Sequence, residues 1–149
     1  MKPFLNSPGL YPKPDARQVN VMIIDDNIDQ LAVLQQAIRQ ELPGLSVIPI
    51  TTGTGAIAYL ETNVHQPGAM PKLILLDLYL PRRDDGWRTL AAIQQLPAPF
   101  NRIPVIMLSA SDDQTDIQDA YRRGCVTYLI KPTTRTGWQA YYDMLKGLA

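Results

Sequence analysis

The chain has 149 residues, 46% hydrophobic and 19% charged, with 14 Lys plus Arg balancing 14 Asp plus Glu. That length suits one domain able to bury a core, and that composition excludes a disordered polar chain and a coiled coil. Zero net charge leaves no basic footprint to grip a phosphate backbone by counterion release, so direct nucleic-acid binding is not expected.

Residues 1–18 carry Pro3, Pro8, Gly9, Pro12 and Pro14 without a hydrophobic period, and read as a flexible Pro-rich arm ahead of a domain over 19–149. The arm lacks the apolar stretch of a secretory signal. The longest apolar runs, such as 73–76, fall far below the roughly 20 residues that cross a bilayer. A cytoplasmic protein without membrane contact is expected.

From Val19 onward, short apolar runs alternate with helical stretches, the pattern of βα units around a parallel sheet. Strands are expected over 19–24, 46–51, 72–76, 103–108 and 126–130, and helices over 28–42, 55–62, 86–96, 113–123 and 136–148. The first helix carries Leu31, Leu34, Ile38 and Leu42 on one stripe, and the last carries Trp138, Tyr141, Tyr142 and Leu145 at i, i+3, i+4, i+7. That aromatic run suits a core or an interface. Pro49 cannot donate to a ladder, which places the second strand at an edge. Right-handed crossovers then give an α/β fold, a doubly wound five-stranded parallel sheet in the flavodoxin-like order 2-1-3-4-5. Lone Cys125 reads as a small buried residue, and lone His65, in a turn-rich stretch, as a solvated loop residue.

In such a sheet, ligands bind beyond the carboxyl ends of the strands. The expected strands one, three, four and five end at Asp25-Asp26, Asp77, Ser109 and Lys131-Pro132. Three carboxylates brought together repel one another unless a cation sits among them, and Mg²⁺ is the hard ion that takes carboxylates, a carbonyl and waters. Asp77, at the centre, then suits a carboxylate nucleophile toward phosphorus. Lys131 offers a positive charge and Ser109 a hydroxyl donor for phosphoryl oxygens.

With these residues in place, the sequence resembles the receiver domains of two-component response regulators. The matching stretches are Ile23-Ile24-Asp25-Asp26, Leu75-Leu76-Asp77-Leu78-Tyr79-Leu80-Pro81, Met107-Leu108-Ser109-Ala110 and Tyr128-Leu129-Ile130-Lys131-Pro132. The resemblance implies that Asp77 is the phosphoacceptor, that Asp25, Asp26, Asp77 and the Tyr79 backbone carbonyl hold Mg²⁺, and that Ser109 senses the phosphoryl group beside Lys131. It further implies that Tyr128 is the switch aromatic, entering space that Ser109 leaves. The phosphoryl group would come from a sensor histidine kinase or phosphotransfer protein docking on the first helix and the loop after Lys131. The protein would be a signalling protein with only self-catalysed phosphotransfer and aspartyl-phosphate hydrolysis. With no output domain in the sequence, the output is expected to be another protein, an intermolecular surface or onward phosphoryl transfer, and a downstream protein target would read the face of helix four, strand five and helix five. Tyr121, Arg122 and Trp138 are candidates there, and the resemblance allows a homodimer through the same face.

The sequence departs from the family in two places. Arg82-Arg83-Asp84-Asp85-Gly86 holds one residue more than the usual run after the proline, so a longer loop is expected, its arginines either solvated or adding positive field at the rim. Tyr79 is bulky where many relatives are small and polar, and is expected to shield the acyl phosphate from water. Helix four, with Ile117, Ala120 and Tyr121 among Asp112, Asp113, Asp116, Gln118 and Asp119, is expected to be loosely held.

Two other functions fit parts of this pattern. One is a receiver-like interaction module that works without phosphorylation. The other is an aspartyl-phosphate hydrolase, which needs a second acid two residues after its nucleophile. Asn27, Ile28 and Tyr79 stand at that distance from Asp25, Asp26 and Asp77.

Overall fold

A computed structural model describes residues 19–148. The expected arm over 1–18 lies outside the described residues. The elements run β1 (Val19–Ile24), α1 (Ile28–Glu41), β2 (Leu45–Ile50), α2 (Gly53–Thr62), β3 (Leu73–Asp77), α3 (Arg83–Gln94), β4 (Val105–Ser109), α4 (Gln114–Arg122), β5 (Thr127–Ile130) and α5 (Arg135–Leu148). Short 3-10 turns at Pro67–Ala69 and Phe100–Arg102, not expected from the sequence, lead into β3 and β4. The sheet is wholly parallel, in the order β2-β1-β3-β4-β5. Pro49 lies on edge strand β2, opposite Ile23.

Strand alternation builds two cores. Met22, Ile24, Ile74, Leu76 and Met107 face α2, α3 and α4, where they meet Leu60, Trp87, Leu90, Ile93 and Ala120. Val21, Ile23, Leu75, Ile106 and Leu108 face α1 and α5, where they meet Leu31, Leu34, Ile38, Tyr141 and Leu145. Every residue of β3 and β4 is buried, as strands covered on both faces require. Tyr141 and Leu145 bury the α5 stripe, and Trp138 stands edge-on to Tyr141, with ring centroids 5.3 Å apart. The aromatic run is therefore mainly core. Cys125 is buried and His65 exposed.

The region after Pro81 corrects the expected longer loop. The extra residue is taken up by α3, which starts at Arg83 rather than near Gly86. Asp84 and Asp85 fall in the first turn, where the helix dipole favours acids, and Asp85 Oδ2 accepts the Arg82 backbone N–H at 3.1 Å. Gly86 then lies so close to β3 that a Cβ there would collide with the Leu78 backbone carbonyl. This contact seats the start of α3 directly beside the Asp77 loop.

Candidate functional site

The chain leaves β1 through Asp25, Asp26 and Asn27. Asp25 Oδ1 accepts the Asn27 backbone N–H at 2.9 Å, and Asn27 Oδ1 in turn caps α1 by accepting the Gln30 N–H at 3.0 Å. These local bonds hold Asp25 inward, 3% exposed, while Asp26 stays open to solvent. Asp77 ends β3, 7% exposed. One carboxylate oxygen from each of Asp25, Asp26 and Asp77 lies within 4.8 Å of the others.

Lys131, just past β5, reaches into this acidic group. Its ammonium lies 3.2 Å from Asp77 Oδ2 and 3.4 Å from Asp25 Oδ2, and it donates a 2.7 Å hydrogen bond to Gln30 Oε1. The Lys131 backbone N–H is held by the Ser109 carbonyl at 2.7 Å, which ties the end of β5 to the end of β4. Burial pushes the Asp77 carboxyl up to about 6; the Lys131 ammonium draws it down, and the neighbouring Asp25 carboxylate pushes it up. Burial thus outweighs the Lys131 ammonium at Asp77, and Lys131 is the cation that the described residues set beside both Asp25 and Asp77.

The donor set fits a hard divalent ion: only oxygen ligands, closely grouped, one of them exposed for entry. Soft sulfur or imidazole ligands are absent from this group.

Ser109 is fully buried, and its Oγ accepts the Ser111 backbone N–H at 3.0 Å. Tyr128, 8% exposed, donates its hydroxyl to the Ser111 carbonyl at 2.8 Å, and its backbone N–H reaches the Tyr121 hydroxyl at 3.2 Å. Tyr128 is therefore packed inward and bonded, beyond the half-buried aromatic that an edge strand alone implies. Tyr79 donates its backbone N–H to Asp77 Oδ1 at 3.3 Å.

Sequence reasoning missed two residues. Gln30 is uncharged and sits among polar positions of α1, so only the fold reveals its bond to Lys131. Asp116 reads as one more solvated acid of α4, yet it is fully buried. Its Oδ2 accepts from Ser111 Oγ at 2.8 Å and Tyr79 Oη at 3.1 Å, and its Oδ1 lies 3.1 Å from Arg83 Nε. The available signal was the spacing: Asp116 lies one helical turn before buried Ala120, on the inward face. Arg83 accordingly turns to Asp116 and Tyr79, and its guanidinium pKa is raised, first by the Tyr79 hydroxyl and then by the Asp116 carboxylate. Arg82 stands 3.8 Å from Asp85 on the exposed side.

A groove of about 930 Å³ runs between α1 and α5 past Asn27, Gln30, Val33, Arg135 and Trp138. On the α4 and β5 side, Tyr121, Val126 and Ile130 are each about half exposed. No helix among the described residues is long and apolar enough to cross a membrane.

Known proteins share this fold. The response regulator Rcp1 of Synechocystis is 30% identical over 112 residues, covering 74% of this chain and 75% of Rcp1. The probable C4-dicarboxylate response regulator DctR of Halalkalibacterium halodurans is 28% identical over 116 residues, but the match spans only 46% of that longer protein. The solved Mn²⁺-bound form of Rcp1 superposes with a TM-score of 0.66 at 27% identity, covering 87% of this chain and 91% of Rcp1. The phosphorylated cyanobacterial phytochrome response regulator RcpA superposes with a TM-score of 0.69 at 30% identity, covering 88% and 91%. The model of the response regulator receiver domain matches residues 21–141. Strand order, acidic rim and sequence agree: the chain belongs to the response regulator receiver domain family.

Proposed function

We propose that Asp77 accepts a phosphoryl group from a phosphohistidine of a sensor histidine kinase or phosphotransfer protein. The observation that carries this reading is the meeting of Asp25, Asp26, Asp77 and Lys131 at the strand ends. The Asp77 carboxylate oxygen forms a bond to phosphorus as the phosphorus–nitrogen bond of the donor breaks, and the electron pair leaves with the donor imidazole. Lys131 and the Ser109 hydroxyl stabilise the equatorial oxygens.

Asp25, Asp26, Asp77 and the Tyr79 carbonyl would hold Mg²⁺, a set supported by the oxygen-only donors and by the Mn²⁺-bound relative. Bound there, the ion neutralises the carboxylates and the incoming phosphoryl oxygens. Gln30 Oε1 accepts from the Lys131 ammonium and so holds it beside Asp25 and Asp77.

The groove between α1 and α5 opens near Asn27 and Gln30, next to the acidic rim, and suits the docking of the donor protein. The half-exposed Tyr121, Val126 and Ile130 suit the readout face, for a downstream protein or a second copy, with Ser109 and Tyr128 as the switch pair. A cytoplasmic setting, with its kinases, suits this activity.

Mg²⁺-dependent uptake of phosphate from acetyl phosphate tests the reading. Wild-type chain is expected to incorporate one phosphoryl group and Asp77→Asn none. Equal incorporation in both, or none in either, contradicts it; the second result favours an interaction module that works without phosphorylation.

A further inference from the structure

Asp116 joins two residues that each face both ways. Tyr79 bonds Asp77 through its backbone N–H and Asp116 through its hydroxyl, which also receives Arg83 Nη2 at 3.2 Å. Ser111 bonds Ser109 Oγ through its backbone N–H, takes the Tyr128 hydroxyl on its carbonyl, and gives its own hydroxyl to Asp116. One buried carboxylate of α4 is thus the meeting point of a path from Asp77 and a path from Ser109 and Tyr128.

Packing alone does not account for it. A carboxylate removed from water is stabilised only by its partners, and here Oδ1 has the Arg83 guanidinium nearby without a hydrogen bond of good geometry. An apolar residue above Ala120 would seat α4 more simply. What the carboxylate supplies, and an apolar residue cannot, is a fixed position for the Tyr79 and Ser111 hydroxyls.

We propose that Asp116 is a positioning residue for the phosphoacceptor pocket, holding Tyr79 and Ser111 in place and so setting the lifetime of the phosphoryl group on Asp77. This rests on the phosphoacceptor reading above and deepens it. In the decay reaction a water oxygen bonds to phosphorus, the bond from phosphorus to the Asp77 oxygen breaks and the carboxylate recovers its electron pair, and the water protons leave on the released phosphate or pass to solvent. Tyr79, tethered at its hydroxyl by Asp116 and Arg83, keeps its ring beside that loop and restricts the approach of water. Arg83, at the first position of α3, is the second tether, which gives the residues after Pro81 a use beyond surface charge.

The test is the decay of the phosphorylated full chain, loaded with acetyl phosphate and Mg²⁺ and then freed of donor. Tyr79→Phe and Asp116→Asn are each expected to shorten the half-life about three- to tenfold, the effect of losing roughly one hydrogen bond. Because both variants break the Tyr79–Asp116 contact, the double variant is expected to speed decay by less than the product of the two single effects. Arg83→Gln, at a half-exposed position, is expected to shift decay in the same direction and serves where Asp116→Asn folds poorly. A purely structural role would lower the unfolding midpoint and leave decay unchanged. Normal loading with wild-type decay in all variants overturns the inference, as does a double variant whose effect is the product of the two. Failure of the wild-type chain to load overturns instead the phosphoacceptor reading on which it rests.

Discussion

The Lys131 ammonium and the Asp77 carboxylate, 54 positions apart in sequence, lie 3.2 Å from each other across the ends of β5 and β3. Lys131 is also within 3.4 Å of Asp25, so one cation faces two buried carboxylates. Replacing it with Gln leaves both without their ammonium. In EDTA at pH 7.5, Lys131→Gln is expected to lower unfolding stability by about 2 kcal/mol, less than a fully enclosed pair would lose because Asp26 opens the rim to water. Excess Mg²⁺ is expected to recover most of that loss. Urea unfolding with and without Mg²⁺ measures both effects, and a variant as stable as wild type in EDTA contradicts the pairing.

Asp77 also makes stability depend on pH. Its carboxyl is raised from 3.8 to about 6 in the folded metal-free protein, so between those values the folded state binds more protons than the unfolded chain. The contribution of Asp77 to stability then falls as pH rises through that window, the opposite of a salt-bridged acid with a depressed pKa. Asp77→Asn removes this dependence. In EDTA, the unfolding midpoint of Asp77→Asn relative to wild type is expected to rise from pH 4 to pH 7, and a relative midpoint that stays flat or falls contradicts the burial assigned to Asp77.

Gly86 holds α3 against β3, with the Leu78 carbonyl where a Cβ would stand. Backbone cannot swing aside as a side chain does, so Gly86→Ala is expected to cost about 2–4 kcal/mol of stability. It is also expected to weaken Mg²⁺ binding, since Leu78 and Tyr79 belong to the displaced loop. Thermal unfolding and a Mg²⁺ titration check the two effects.

Tyr141 carries a buried hydroxyl with no hydrogen-bond partner among the described residues, and burial pushes its pKa well above the ordinary tyrosine value. Tyr141→Phe removes an unsatisfied polar atom and keeps the ring against Trp138. Stability is expected to stay level or rise by up to about 1 kcal/mol. A loss of that size indicates a partner for the hydroxyl.

The sequence conveyed the sheet because its strands are continuous apolar runs, and the candidate site because its side chains sit where those runs stop. Asp25, Asp77 and Lys131 needed only the strand order to be placed together. The start of α3 was less legible: Arg82-Arg83-Asp84-Asp85 has the charge density of a loop, while in the fold its acids cap and charge-match a helix. Asp116 was hidden for a related reason. A carboxylate on a polar helix reads as solvated unless its partners are known, and Tyr79, Arg83 and Ser111 come from two other segments. Gln30 was missed because a neutral amide gives no charge signal, although its side chain makes the shortest of the Lys131 ammonium contacts.

The most direct measurement is tandem mass spectrometry of the chain after acetyl phosphate and Mg²⁺, with hydroxylamine treatment to cleave acyl phosphates. A single hydroxylamine-labile phosphoryl group on Asp77, formed only with the metal present, is the expected result. A phosphoryl group on any other residue, or loading that is unaffected by EDTA, would contradict the assignment of the strand-end carboxylates to a metal-assisted phosphoacceptor.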